Sequence, residues 1–173
     1  LYLSETVSEL KYQKPNQLKE HIVASKISGN NNGYSFNTAD ESFYDFYEDQ
    51  LKVADFDAQL VSPIAKQAFA FYKYSLEATF KDNGVLINKI KVTPKVKNQP
   101  VFYGDIYIVD TSAALYGVDL TVTGVSLQQP FIDEITISQN FFFNQANQTW
   151  VKRSQTLDMM IGLFGFKGQG TFL

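Results

Sequence analysis

The chain has no cysteine among its 173 residues. Disulfides, thiolate metal sites and a cysteine nucleophile are therefore excluded together. The absence suits an oxidising envelope where stray thiols are a hazard, although cytosolic proteins also lack cysteine. Arginine is nearly missing: Arg153 is the one guanidinium among fifteen basic residues. Arginine is the usual reader of phosphate and guanine, so a nucleic-acid role has little to stand on. Histidine occurs once, as His21, and no His/Cys set exists for zinc. No apolar run reaches the roughly 18 residues of a membrane-spanning helix. A net charge of −3 offers no polybasic face to anionic lipid. Neither an initiator Met nor a signal peptide opens the chain at Leu1, so it reads as a fragment of a longer protein, ending at Gly170–Leu173 inside a strand.

What is present is apolar and aromatic: 45% hydrophobic residues, with fifteen Phe and ten Tyr. That is enough for one domain, 1–173, with a proper core, and it excludes a wholly disordered chain. From Phe71 to Phe143 the pattern has a period of two. Tyr72, Tyr74, Leu76, Ala78 and Phe80 share one parity, against Lys73, Ser75, Glu77 and Thr79. Ile106 and Ile108, then Val118, Leu120 and Val122, then Ile135 and Ile137 repeat it. Such alternation marks strands with one buried and one wet face. Asn83-Gly84 is a strong hairpin signal between strands 71–80 and 85–92. Further strands are expected over 101–109, 115–123, 131–143 and 149–157. N-terminally, Lys19–Ile27 reads as a strand, and Leu1–Lys11 as a strand or a short helix.

Two segments read as helices. Asp40 is a candidate cap for 40–51, where Phe43, Phe46, Tyr47 and Leu51 fall at helical spacing. Ser62-Pro63 opens a second, ending near Ala68 or Phe69. The expected fold class is α+β: a curved, mostly antiparallel sheet, an open half-barrel, with two short helices.

Several stretches carry a resemblance. Val61-Ser62-Pro63-Ile64-Ala65, then FAFYKYSLEATF, LINKIKVTPK and PVFYGDIYIVD, together with the earlier YLSET and KEHIVASKISG, resemble a family of large Bacteroidetes outer-membrane proteins of unknown function. That family pairs a carboxypeptidase-regulatory-like domain with this middle region and a C-terminal β-barrel. The resemblance implies a periplasmic placement, with the rest of the outer-membrane polypeptide as partner. It brings no catalytic residue to carry over. The strand-and-helix succession is also similar to the lipoprotein-carrier (Lol-type) fold, a likeness of fold that says little about function.

Candidate chemistry is thin. His21 neighbours Glu20, but adjacent strand residues point to opposite faces. The acids Asp40, Glu41, Asp45, Glu48 and Asp49 lack calcium-loop spacing. Asp105 and Asp119 fall on the solvent parity of neighbouring strands, where a glycosidase-type pair would need a cleft between them. Lys89, Lys91, Lys95 and Lys97 form the one basic cluster, which suits an anionic partner or the protection of an edge hairpin. The expectation is a non-enzyme without cofactor or metal: a binding or interaction module. The alternative is a carrier of lipid or another hydrophobic ligand on the apolar side of the sheet. The lining would come from Tyr72, Tyr74, Leu76, Ile90 and Phe102, with Ile106, Ile108, Leu120, Ile137 and Phe141 beyond them.

Overall fold

The computed structural model describes residues 3–13, 17–28, 44–53, 56–163 and 166–172. Two compact units emerge. The first contains an antiparallel hairpin of β1 (Leu3–Gln13) and β2 (Gln17–Ser28), with a register shift between Val7 and Ser8. The ambiguous N-terminal stretch is thus a strand. Pro15, which lacks a backbone donor, falls between the two strands.

The second unit comprises Phe46–Lys52 and Phe56–Leu173. Two short strands, β3 (Gln50–Lys52) and β4 (Gln59–Val61), pair antiparallel, and one helical turn, α1 (Ala68–Phe71), follows. Then come β5 (Tyr72–Asp82), β6 (Val85–Pro94), β7 (Tyr103–Val109) and β8 (Leu115–Thr123). The chain ends with β9 (Ile132–Asn144), β10 (Thr149–Leu163) and β11 (Phe166–Phe172). These seven form one open antiparallel sheet in sequence order, with β5 at one end and β11 at the other. The β5–β6 turn is the one Asn-Gly demands: Asn83 and Gly84 both have positive φ, 48° and 84°, between the paired Asp82 and Val85.

Register fixes the faces, because directly paired residues point the same way. Leu76, Ile90, Ile106, Val118 and Gln139 stand in one cross-strand row. Val92, Gly104, Leu120, Ile137 and Leu157 form the next. The opposite face carries Lys91, Asp105, Asp119, Ser138 and Thr156 in a single row. Gly104 serves the apolar face by having no side chain: at φ 134°, a Cβ there would lie 2.1 Å from the Asp119 carbonyl oxygen.

Three expectations change. The helix over 40–51 is absent from its described part: Phe46 to Asp49 form turn and bend, and Gln50 enters β3; residues 40–43 lie outside the described residues. The aromatic spacing that imitates a helix serves distant partners instead. Phe46 packs edge-on against Phe102 with ring centres 5.4 Å apart, and the Tyr47 hydroxyl accepts the Leu115 N–H at 2.9 Å. Leu51 pairs with Leu60 across the β3–β4 ribbon. The second helix shrinks to the single turn α1, because the buried Ser62 hydroxyl donates to the Phe46 carbonyl at 2.6 Å and organises a chain of turns. The described fold is therefore mostly antiparallel sheet with almost no helix, rather than a sheet with two helices.

The third change lies inside β5. Leu76 pairs with Ile90 and Ala78 with Lys89, leaving Glu77 as an extra residue. This bulge shifts the parity. Ala78 and Phe80 consequently stand with Lys89 and Ile87, on the face opposite Tyr72, Tyr74 and Leu76. β7 also starts two residues later than Val101, which makes a parallel bridge to Val61 instead.

Candidate functional site

Nine of the ten residues proposed as a ligand-binding lining share one face of the sheet by register, Phe102 lies just before β7, and their exposures differ sharply. Tyr72, Phe102, Ile106, Leu120 and Ile137 are buried. Tyr74, Ile90, Ile108 and Phe141 are half-buried, while Leu76 is 64% exposed. Phe46, Leu51, Phe56, Leu60 and Val61, from the segment preceding β5, are all buried.

Two tyrosines fasten this segment. The Tyr72 hydroxyl donates to the Val61 carbonyl and accepts the Phe102 N–H at 3.1 Å. The Tyr74 hydroxyl donates to the Pro63 carbonyl at 2.7 Å. Burial disfavours both phenolates: it pushes Tyr72 far up, and Tyr74 up to about 12. Val61 is also held through its N–H, which donates to the Pro100 carbonyl at 3.0 Å.

The polar face carries a charge network across three strands. The Lys89 ammonium lies 3.0 Å from Glu77 and 3.0 Å from Asp105, and Lys91 lies 3.3 Å from Glu77. Hydrogen bonds from Lys89 and then Lys91 hold the Glu77 carboxyl below its ordinary range; the bonds to Glu77 and Asp105 raise Lys89. Asp105 and Asp119 do stand directly opposite each other, as the parity suggested. Asp105 is engaged by Lys89, and its second oxygen is buried without a hydrogen-bond partner. The Tyr103 hydroxyl donates to Glu134 at 2.9 Å; burial, then that hydrogen bond, pushes Tyr103 up to about 12.

His21 sits in β2 opposite Glu9, in the first unit, and Glu20 opposite Leu10. Asp40 and Glu41 lie outside the described residues. Asp49 caps the turn after Ser62 by accepting the Lys66 N–H at 3.0 Å. Among the described residues, no three His, Cys, Asp or Glu side chains gather as a metal site.

Sequence reasoning missed a cleft of about 450 Å³ where the ends of β6, β7 and β8 meet the following loops. Its walls include Val92, Pro94, Val101 and Tyr103; Lys91, Lys97 and Asp105 supply the charges, and Thr93 and Ser126 the hydroxyls. The basic PKVKNQP loop was the available signal, since Lys97 and Asn98 come from it. Nothing in the sequence shows that the loop folds beside Thr123 and Ser126.

The second open feature is the edge of β5, whose outer side pairs with no described strand. Phe69 beside it is 76% exposed and stacks edge-on against Tyr74 at 5.2 Å. With Leu76 it forms an apolar margin along that edge, next to the exposed Lys73. No helix in the described residues is long and apolar enough to cross a membrane.

A protein-family model described as a family of unknown function (DUF5686) matches residues 1–173. No curated protein and no solved structure matches the chain.

Proposed function

Because the chain belongs to that family of unknown function, its role has to be read from its surface, and we propose that it is a non-catalytic docking module. In this reading it is the periplasmic part of an outer-membrane β-barrel protein, a placement that rests on the resemblance of its motifs to the Bacteroidetes proteins. The observation that carries the docking role is an apolar margin at a strand edge: Phe69 and Leu76 are 76% and 64% exposed beside the side of β5 that pairs with no described strand. Isolated edges are normally blunted with charge or covered. Tyr72 already gives its N–H to the Ala68 carbonyl; beyond it, Tyr74 and Leu76 offer main-chain groups and apolar side chains, with a single cation, Lys73, between Tyr72 and Tyr74. The occupant this suits is an extended partner segment that adds to the sheet as a strand, apolar opposite Tyr74 and Leu76 and acidic opposite Lys73. The carrier reading draws less support, because Phe102, Leu120 and Ile137 on the apolar face are buried.

Hydrogen exchange tests the proposal. A synthetic strand peptide with alternating valines and a glutamate at the Lys73 position is expected to slow exchange of the β5 amides. The same peptide with lysine in place of glutamate is expected to bind more weakly. Unchanged β5 exchange with the acidic peptide, or equal protection by both peptides, overturns the reading.

A further inference from the structure

The cleft at the ends of β6 to β8 is chemically lopsided. Its volume, about 450 Å³, lies within the range of small-molecule sites. Most of its wall is aliphatic or aromatic, from Val92, Pro94, Val101 and the Tyr103 ring. The acids near it are mostly engaged. Asp105, which lines the cleft, gives one oxygen to Lys89 at 3.0 Å, and its other oxygen is buried without a hydrogen-bond partner. Glu77 holds Lys89 and Lys91, and Glu134 accepts the Tyr103 hydroxyl. The cations are open by comparison. Lys97 is exposed and forms no ion pair with a described residue; Lys91 is 55% exposed, with one partner at 3.3 Å. An ammonium carries three donors, so Lys91 keeps capacity for another acceptor.

An apolar pocket whose nearby carboxylates are mostly ion-paired or hydrogen-bonded, and whose ammonium donors are available, selects for ligand charge. We infer that the cleft binds a small amphiphilic anion, a carboxylate or phosphate ester whose short apolar body lies against Val92, Pro94, Val101 and Tyr103 and whose head meets Lys97 and Lys91. This site is separate from the β5 edge and does not depend on docking there. The same headgroup chemistry is found on free metabolites and at lipid surfaces.

The experiment titrates the 173-residue chain with octanoate, octanol and octylamine, reading chemical shifts at the amides of Asn98 and Gly104. Octanoate is expected to saturate, with octanol and octylamine weaker by about tenfold, the equivalent of about 1.4 kcal/mol. Lys97→Gln should weaken octanoate severalfold, and Thr93→Trp, which fills the cleft from an exposed strand position, should abolish binding. Folding of both variants is checked by their unchanged strand amide shifts. Octanol binding as tightly as octanoate, saturation that survives in Thr93→Trp, or no saturable shift with octanoate overturns the inference. Competition between octanoate and phosphatidylglycerol vesicles then assigns the source: displacement from vesicles identifies a lipid headgroup, and octanoate binding without vesicle binding identifies a free anion.

Discussion

The hydroxyl of Tyr72 bonds the carbonyl of Val61, so one phenol on the edge strand clamps the end of β4 to β5. The same oxygen accepts the Phe102 N–H at 3.1 Å. Replacing Tyr72 by Phe keeps the ring and strands two buried main-chain groups. The expected loss is about 1–3 kcal/mol, the cost of a buried unsatisfied group. Tyr74→Phe should lose less, because its bond to Pro63 is only part-buried. Urea unfolding compares them; equal midpoints for Tyr72→Phe and the parent would show that the clamp is not formed.

Truncation should separate the centre of the apolar face from its margin. Phe102 has no exposed surface, and Phe102→Ala should destabilise by about 3–5 kcal/mol. Leu76 is 64% exposed, and Leu76→Ala should stay within about 0.5 kcal/mol. Thermal melts of the two decide. A large loss at Leu76 would place it under a covering element.

The tyrosines make the fold sensitive to alkali. Tyr74 and Tyr103 are both pushed up to about 12 by burial, Tyr103 also by its bond to Glu134. An unfolded tyrosine releases its proton near pH 10. Above that value the unfolded state holds fewer protons than the native one, so stability present below about pH 10 falls as pH rises toward 12. Urea midpoints followed with tyrosinate absorbance should show this decline, with a gentler slope in Tyr74→Phe. Parallel slopes would argue that Tyr74 titrates freely.

Acid should act through Glu77. Its carboxyl is held low by Lys89 and Lys91, so its contribution is present above the unfolded value of about 4.3 and is lost as pH falls through the lower native one. Lys89→Met removes the largest of these causes, and the Glu77 titration, followed by its carboxyl chemical shift, should move upward. An unmoved titration would mean that Lys91 alone sets it.

The strands from Val85 onward were legible because each solves a local problem: alternation selects a buried face, and Asn83-Gly84 supplies the positive φ that a tight hairpin needs. Leu115–Thr123 is observed as read. The helices were not legible, because Phe46, Tyr47 and Leu51 share a helical spacing by coincidence while their partners, Phe102, Leu115 and Leu60, are distant or paired across a ribbon. Glu77 gives no local sign of a bulge, yet it decides that Phe80 and Tyr74 point to opposite faces. The proposed lining was legible as a face, but its burial was not. The cleft escaped for a related reason: its walls are assembled from strand ends and two loops, which no periodicity records.

The sheet whose seven strands pair in chain order has a kinetic consequence. Each strand finds its partner across the next short connection, so little loop entropy separates one pairing from the next. Such a topology has low contact order for a β protein, which favours rapid assembly. The sheet can zip outward from the Asn83-Gly84 hairpin while later strands are still arriving. Throughout that growth the advancing side stays adhesive, with β11 outermost on it among the described strands. A chain threaded from its N-terminus into a compartment would thus order progressively, with its vulnerability to misassociation concentrated at whichever strand had most recently been laid down.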